Sequence, residues 1–184
     1  MKRIARFRRA LLVALVAAGA TLSMTQVAQA DAAHQPPNLP EEIRVPDGNK
    51  LSLVAHATGV QIYTCNGSTW GSSTPRADLF ADKRNKRLVA THFAGPTWQG
   101  TDGSTVVGVL PPEGSVTVDP TAIPWLLLRA DPGDAPGRFA GTTYIQRVAT
   151  TGGLAPAATE CHAGAVDKVV EVPYTADYNF WTKR

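Results

Sequence analysis

The chain has 184 residues, with 18 Lys and Arg against 15 Asp and Glu, four His and a sequence pI near 9.0. The basic balance does not make it a nucleic-acid or anionic-membrane binder, because the excess sits at one end. Five basic residues (Lys2, Arg3, Arg6, Arg8 and Arg9) lie in the first nine positions, and without them 13 bases face 15 acids.

That basic start is followed by the apolar run Ala10–Ala18 and by Ala28-Gln29-Ala30. A charged head, a short apolar middle and small residues flanking a cut form a secretory signal pattern, so residues 1–30 are expected to be cleaved after Ala30. The run is too short for a stable span, and no later segment approaches the ~18 apolar residues that crossing requires. The expected product is secreted, extracellular or in the cell envelope. All but one of the 16 Gly and all 14 Pro fall in the remaining 154 residues (184 less 30). That exceeds usual usage of about 12% and points to many turns. Cys65 and Cys161 are an even pair; in an exported chain this reads as one disulfide, the alternative being two buried thiols.

Residues 31–42, with Pro36, Pro37 and Pro40, read as a flexible lead-in, and 43–184 as one domain. A strand is expected at Ile43–Val45, then the turn Pro46-Asp47-Gly48-Asn49. Leu51, Leu53, Ala55 and Ala57 alternate with Ser52, Val54, His56 and Thr58, the period of a half-buried strand; Gly59 is read as its break. Residues 60–65 form a further strand, closed by Asn66-Gly67, which also opens a glycosylation sequon through Ser68. Residues 75–87, dense in Arg, Lys and Asp, read as a solvated loop or hairpin. Strands follow at 88–93 and 105–110, a short edge segment at Val116 and Val118, and at 124–129 an apolar run that fits a doubly buried strand or a short helix turn. Residues 139–150 are β-branched and aromatic, and 166–172 and 174–181 complete the chain. No segment after the leader sustains a 3.6-residue period. The fold class is therefore all-β: an antiparallel β-sandwich or barrel with long loops and little helix.

Several pieces carry a family resemblance. They are Gly59–Cys65, Thr91–Trp98, Asp102-Gly103-Ser104, Ile123–Leu128, Tyr144–Arg147 with Gly152–Pro156, and Tyr174–Tyr178. In this order they resemble a secreted bacterial and fungal family catalogued as domain of unknown function 3455. The resemblance implies one exported domain in which both cysteines belong to the recurring pattern, and it implies no activity. Some fungal members carry a malate dehydrogenase label. Here no G-x-G-x-x-G joins a strand to a helix, so no dinucleotide cofactor is expected.

The stretch 91–104 concentrates candidates. His92 as base, Ser104 as nucleophile and Asp102 as orienter would make a hydrolase set. Ser104 lacks a G-x-S-x-G elbow, and Asp102-Gly103 is a hairpin signal, so both polar residues also fit as turn braces. His92 could also ligate a metal with His56, His162, Asp102 or Asp177, but no pair has a metal-site spacing, and none is expected. His34 falls fourth after the cut, one place late for a copper-binding amino terminus. Trp98 reads as a loop aromatic, either a ligand platform or a lid over the core. Gln146 and Arg147 sit in one strand, so one points inward; an inward Arg147 needs a carboxylate and would serve as an ion pair or an anion clamp. The leading expectation is a non-enzymatic extracellular binding module for a carbohydrate, small ligand or protein, using Trp98, His92 and Arg147. The alternatives are a hydrolase using His92 with an aspartate, and a structural surface-coat protein.

Overall fold

A computed structural model describes Gln35 and residues 38–184. The expected signal segment 1–30 and His34 lie outside the described residues. Nine strands follow one another: β1 (Asn49–Thr64), β2 (Thr74–Phe80), β3 (Leu88–Phe93), β4 (Thr97–Gly100), β5 (Thr105–Val109), β6 (Ser115–Val116), β7 (Trp125–Pro132), β8 (Thr142–Gly152) and β9 (Val169–Lys183). All pair antiparallel, in the order β5-β4-β3-β2-β1-β9-β8-β7. Pairing of β5 with β7, from Val106↔Pro132 to Val109↔Arg129, closes the ring into an eight-stranded barrel. The two-residue β6 occupies the rest of that β7 edge, opposite Trp125 and Leu126. Of the two all-β architectures the sequence admits, the structure is the barrel. Among the described residues no helix is long and apolar enough to cross a membrane.

Several strand boundaries differ from those the sequence suggests. β1 runs unbroken through Gly59, because Gly59 is a contact glycine: a Cβ there would stand 2.2 Å from the Arg76 carbonyl oxygen. The absent side chain lets β2 lie close against β1. Of the loop and the hairpin read for 75–87, the structure has the hairpin: 74–80 is strand paired with β3, its charges outward and Ala77 and Leu79 inward. β9 likewise continues through Pro173.

Alternation gives the barrel two apolar faces. The interior holds Ala55, Ala57, Ala77, Leu79, Ala90, Trp98, Val106, Leu128, Ile145, Tyr178 and Phe180. A second cluster lies outside, where Leu39, Ile43 and Val45 cover Leu127, Val148 and Trp181. The described part of the 31–42 lead-in is therefore packed: Leu39 is 4% exposed, and the Gln35 side chain exchanges two 3.1 Å hydrogen bonds with the Val45 backbone. Ile43 sits in a 3-10 turn, Glu41–Ile43, rather than the expected strand. Gln146 is the polar hub of this outer cluster. Its amide nitrogen donates to the Ile43 carbonyl at 2.7 Å, and its oxygen accepts from Trp181 Nε1 at 3.1 Å and Asn179 Nδ2 at 3.3 Å.

One end of the barrel is plugged and the other open. At the plugged end Phe139, fully buried in the β7–β8 connection, packs on Phe180 with ring centroids 4.7 Å apart. At the open end the connections β1–β2 and β8–β9 are joined by the Cys65–Cys161 disulfide across 96 positions. A loop of that size implies about 4–5 kcal/mol of unfolded-state restriction in the chain-entropy picture. The contact role of Gly59 is testable: Gly59→Ala should lower the unfolding free energy by about 1–3 kcal/mol, read by denaturant unfolding, whereas a break in the strand would tolerate alanine.

Candidate pocket at the barrel mouth

The chain direction of each strand sorts the candidates. β3 runs toward the open mouth and β4 runs back, so the 94–96 turn lies at the rim with His92 and Trp98 paired just below it. The 101–104 turn, between β4 and β5, lies at the plugged end. His92 and the Asp102–Ser104 pair therefore face opposite ends, and the hydrolase set is not assembled. Asp102 Oδ1 accepts the Ser104 hydroxyl at 2.7 Å and the Ser104 amide at 3.1 Å. Asp102 Oδ2 accepts the Arg138 amide at 2.7 Å, and Ser104 Oγ accepts the Phe139 amide at 3.2 Å. These bonds pin the loop that carries the Phe139 plug. The Ser104 hydroxyl, then the Arg138 amide, hold the Asp102 carboxyl down at about 2.

The metal candidates are likewise dispersed. His56 and Asp177 face each other on β1 and β9, with Nδ1 2.5 Å from Oδ1, on strand positions that alternate with inward Ala55, Ala57, Ala176 and Tyr178. The pair sits on the outer wall. His162 lies in the β8–β9 connection, where Nδ1 accepts the Gly164 amide at 3.2 Å. Among the described residues no group of three or more His, Cys, Asp or Glu could hold a metal ion.

The mouth does bring three of the expected residues together. A pocket of about 200 Å³ is lined by His92, Trp98 and Arg147, and by Gln61, Tyr178, Leu110, Leu126, Leu128 and the rim segments 73–75 and 95–96. Thr74, Gly95, Pro96 and Leu110 are exposed, while Gln61, His92, Trp98 and Tyr178 are buried, so the pocket descends from solvent to a buried floor. Trp98 belongs to β4, not to a loop, and is 1% exposed. Gly108 makes room for it, since a Cβ there would stand 3.0 Å from the indole. Trp98 thus forms a wall of the pocket from inside the barrel.

His92 stacks on Trp98, with centroids 4.1 Å apart and planes 4° apart, and meets Tyr178 edge-on at 5.3 Å. Its Nδ1 lies 2.9 Å from the Thr97 carbonyl oxygen. A carbonyl only accepts, so Nδ1 carries the proton and Nε2 keeps a lone pair. Burial pushes the imidazole down to about 4; the Thr97 bond opposes this, and the Arg147 charge adds to it. His92 is therefore neutral near pH 7. Burial, with Tyr178 alongside at 3.4 Å between hydroxyls, raises the Tyr174 phenol.

Arg147 is the inward residue of the Gln146–Arg147 pair. The carboxylate that the sequence requires is not its partner. Instead Nε and Nη2 donate to the Pro124 carbonyl at 3.1 and 2.9 Å. Pro124 is the residue before β7, so this fork also anchors the entry of that strand. Among the described residues no Asp or Glu lines the pocket. Two of the lining residues each bury a donor without a hydrogen-bond partner among the described residues, Gln61 Nε2 and Trp98 Nε1. Gln61 is the residue that the sequence analysis missed. Its cue was present: it falls in phase with Ala55, Ala57 and Tyr63, all inward, once β1 is read straight through Gly59.

Fold and site together define a closed antiparallel β-barrel with an apolar, donor-rich pocket at its disulfide-bound mouth. The chain belongs to the family described as Protein of unknown function (DUF3455), whose model matches residues 46–182. No curated protein and no solved structure matches it.

The neutral histidine has a consequence for stability. A group whose folded pKa lies below its unfolded value of 6.5 contributes fully above pH 6.5, and loses that contribution as pH falls toward about 4. Denaturant unfolding at stepped pH should show stability falling across this window by up to about 3 kcal/mol, and His92→Phe should flatten that slope.

Proposed function

We propose that the protein is a non-enzymatic binding module that holds one small, partly apolar molecule in the mouth of its barrel. The observation that carries this reading is that two residues lining the same pocket, Gln61 and Trp98, each bury a donor (Nε2 and Nε1) without a hydrogen-bond partner among the described residues. An unsatisfied buried donor costs about 1–3 kcal/mol, and two at one apolar site fit a place that is completed by a bound group. Eight-stranded barrels have interiors just wide enough to be filled by side chains or to hold one small ligand. Here side chains fill the plugged end and leave the mouth open. About 200 Å³ is below the ~300–1,000 Å³ of drug-sized sites, so the occupant is smaller than a typical drug.

Export after removal of residues 1–30 belongs to the same proposal. The Cys65–Cys161 disulfide supports it, since such bonds persist in oxidising compartments. Binding is preferred to hydrolysis because Ser104 and Asp102, bonded to each other, lie at the opposite end of the barrel from His92, and no hydroxyl among the described residues is hydrogen-bonded to the imidazole.

Gln61→Leu tests the reading. The variant removes a stranded donor at similar volume, so the empty protein should become more stable by about 1–3 kcal/mol. Compounds from a small-molecule library that raise the Tm of the parent protein should bind the variant at least tenfold more weakly. A library in which no compound shifts the parent, or a variant that binds unchanged, would overturn the reading.

A further inference from the structure

We infer that the pocket is built for a small monocarboxylic acid with an apolar body, its carboxylate on Arg147 and its hydrocarbon against the leucines of the mouth. This rests on the binding-module reading and adds the chemical class of the ligand.

The argument is one of charge and of hydrogen-bond sense. A guanidinium has five N–H donors. The Pro124 carbonyl engages Nε and Nη2 of Arg147, leaving three N–H without a protein acceptor among the described residues. Arg147 is half-buried inside a barrel, yet forms no ion pair there. Charges held away from water are ordinarily paired, because their desolvation is otherwise uncompensated. With no acid lining the pocket, the counter-charge must come from the occupant.

Two of the neutral groups point the same way. Gln61 Nε2 and Trp98 Nε1 are donors in need of acceptors. A carboxylate is acceptor-only, with room for about four hydrogen bonds, and takes a guanidinium fork in its own plane. His92 adds no second positive charge, being neutral near pH 7 with Nδ1 committed to Thr97. One uncompensated cation matches a monoanion. Of the remaining lining, Leu110, Leu126, Leu128 and Pro96 offer apolar side chains that fit an alkyl or aryl body, while the hydroxyls are those of Ser73, Thr74 and Tyr178.

The test is calorimetric titration of the intact purified chain with benzoate, cinnamate, hexanoate and octanoate, each against its primary amide, with inorganic phosphate as a further titrant. The amides keep shape and lose charge. The expected result is at least one acid that binds tenfold or more tightly than its amide and than phosphate, with the preference lost in Arg147→Met. In the unmutated protein that acid, and not its amide, should shift the Trp98 indole N–H resonance. This second readout decides the matter if Arg147→Met does not fold. Amides that bind as tightly as acids, or an acid preference that survives Arg147→Met, would overturn the carboxylate while leaving a binding module in place. Phosphate binding as tightly as the acids would overturn the apolar half of the inference. No binding by any acid or amide would overturn both this inference and the reading on which it rests.

Discussion

Closure of the sheet through the β5–β7 pairing is the constraint on which the rest of the molecule depends. An open eight-stranded sheet would leave β5 and β7 as bare edges and would expose whichever face lacked a partner layer. Closed, the strands need no second layer to make an inside, and alternation alone assigns every side chain to wall or interior. Closure also fixes the two ends. Strand direction carries the 101–104 and 133–141 turns to one end and the 94–96 turn and both cysteine-bearing connections to the other. A chemically mixed sequence stretch, 91–104, is thereby split between a plug and a pocket.

The two ends are finished by different physics. At the plugged end the turn residues Asp102 and Ser104 spend their hydrogen bonds on backbone amides of the loop that delivers Phe139, and Phe139 fills the barrel against Phe180. At the mouth the aromatic series continues through Trp98, Tyr178 and His92, but the polar groups there are left incomplete. The contrast with Gln146 is instructive. That side chain, one position from Arg147 and facing the outer cluster, satisfies its amide nitrogen and oxygen with three protein partners. The same strand thus supplies a saturated structural hub on one face and an unsaturated cation on the other, which is why the mouth, and not the outer cluster, is read as the functional surface.

Much of this was legible in the sequence, for identifiable reasons. Period-two alternation and turn residues sufficed for an all-β fold, and the even cysteine pair for the disulfide. His92, Trp98 and Arg147 were singled out by residue type and do share one pocket. What was hidden depended on contacts between distant strands. Gly59 looks like a strand end in one dimension; its reason is the Arg76 carbonyl 2.2 Å from where a Cβ would be. Reading it as a break lost the phase of β1, and with it the inward position of Gln61. Arg147 was expected to face a carboxylate, because its actual partner is a backbone carbonyl, which no residue type announces. The burial of Leu39 was hidden for a similar reason: a proline-rich segment carries few apolar residues, and only the outer groove beside Leu127, Val148 and Trp181 gives this one a place.

The central claim is that the mouth of the barrel is a ligand site whose charge is carried by Arg147. It is tested most directly by a crystal structure of the protein grown with a saturating concentration of benzoate. The account predicts the carboxylate within hydrogen-bond distance of the N–H groups of Arg147 that Pro124 leaves free, with the ring against Leu126 and Leu128. A mouth holding only ordered water on Gln61, Trp98 and Arg147, with benzoate elsewhere or absent, would contradict it.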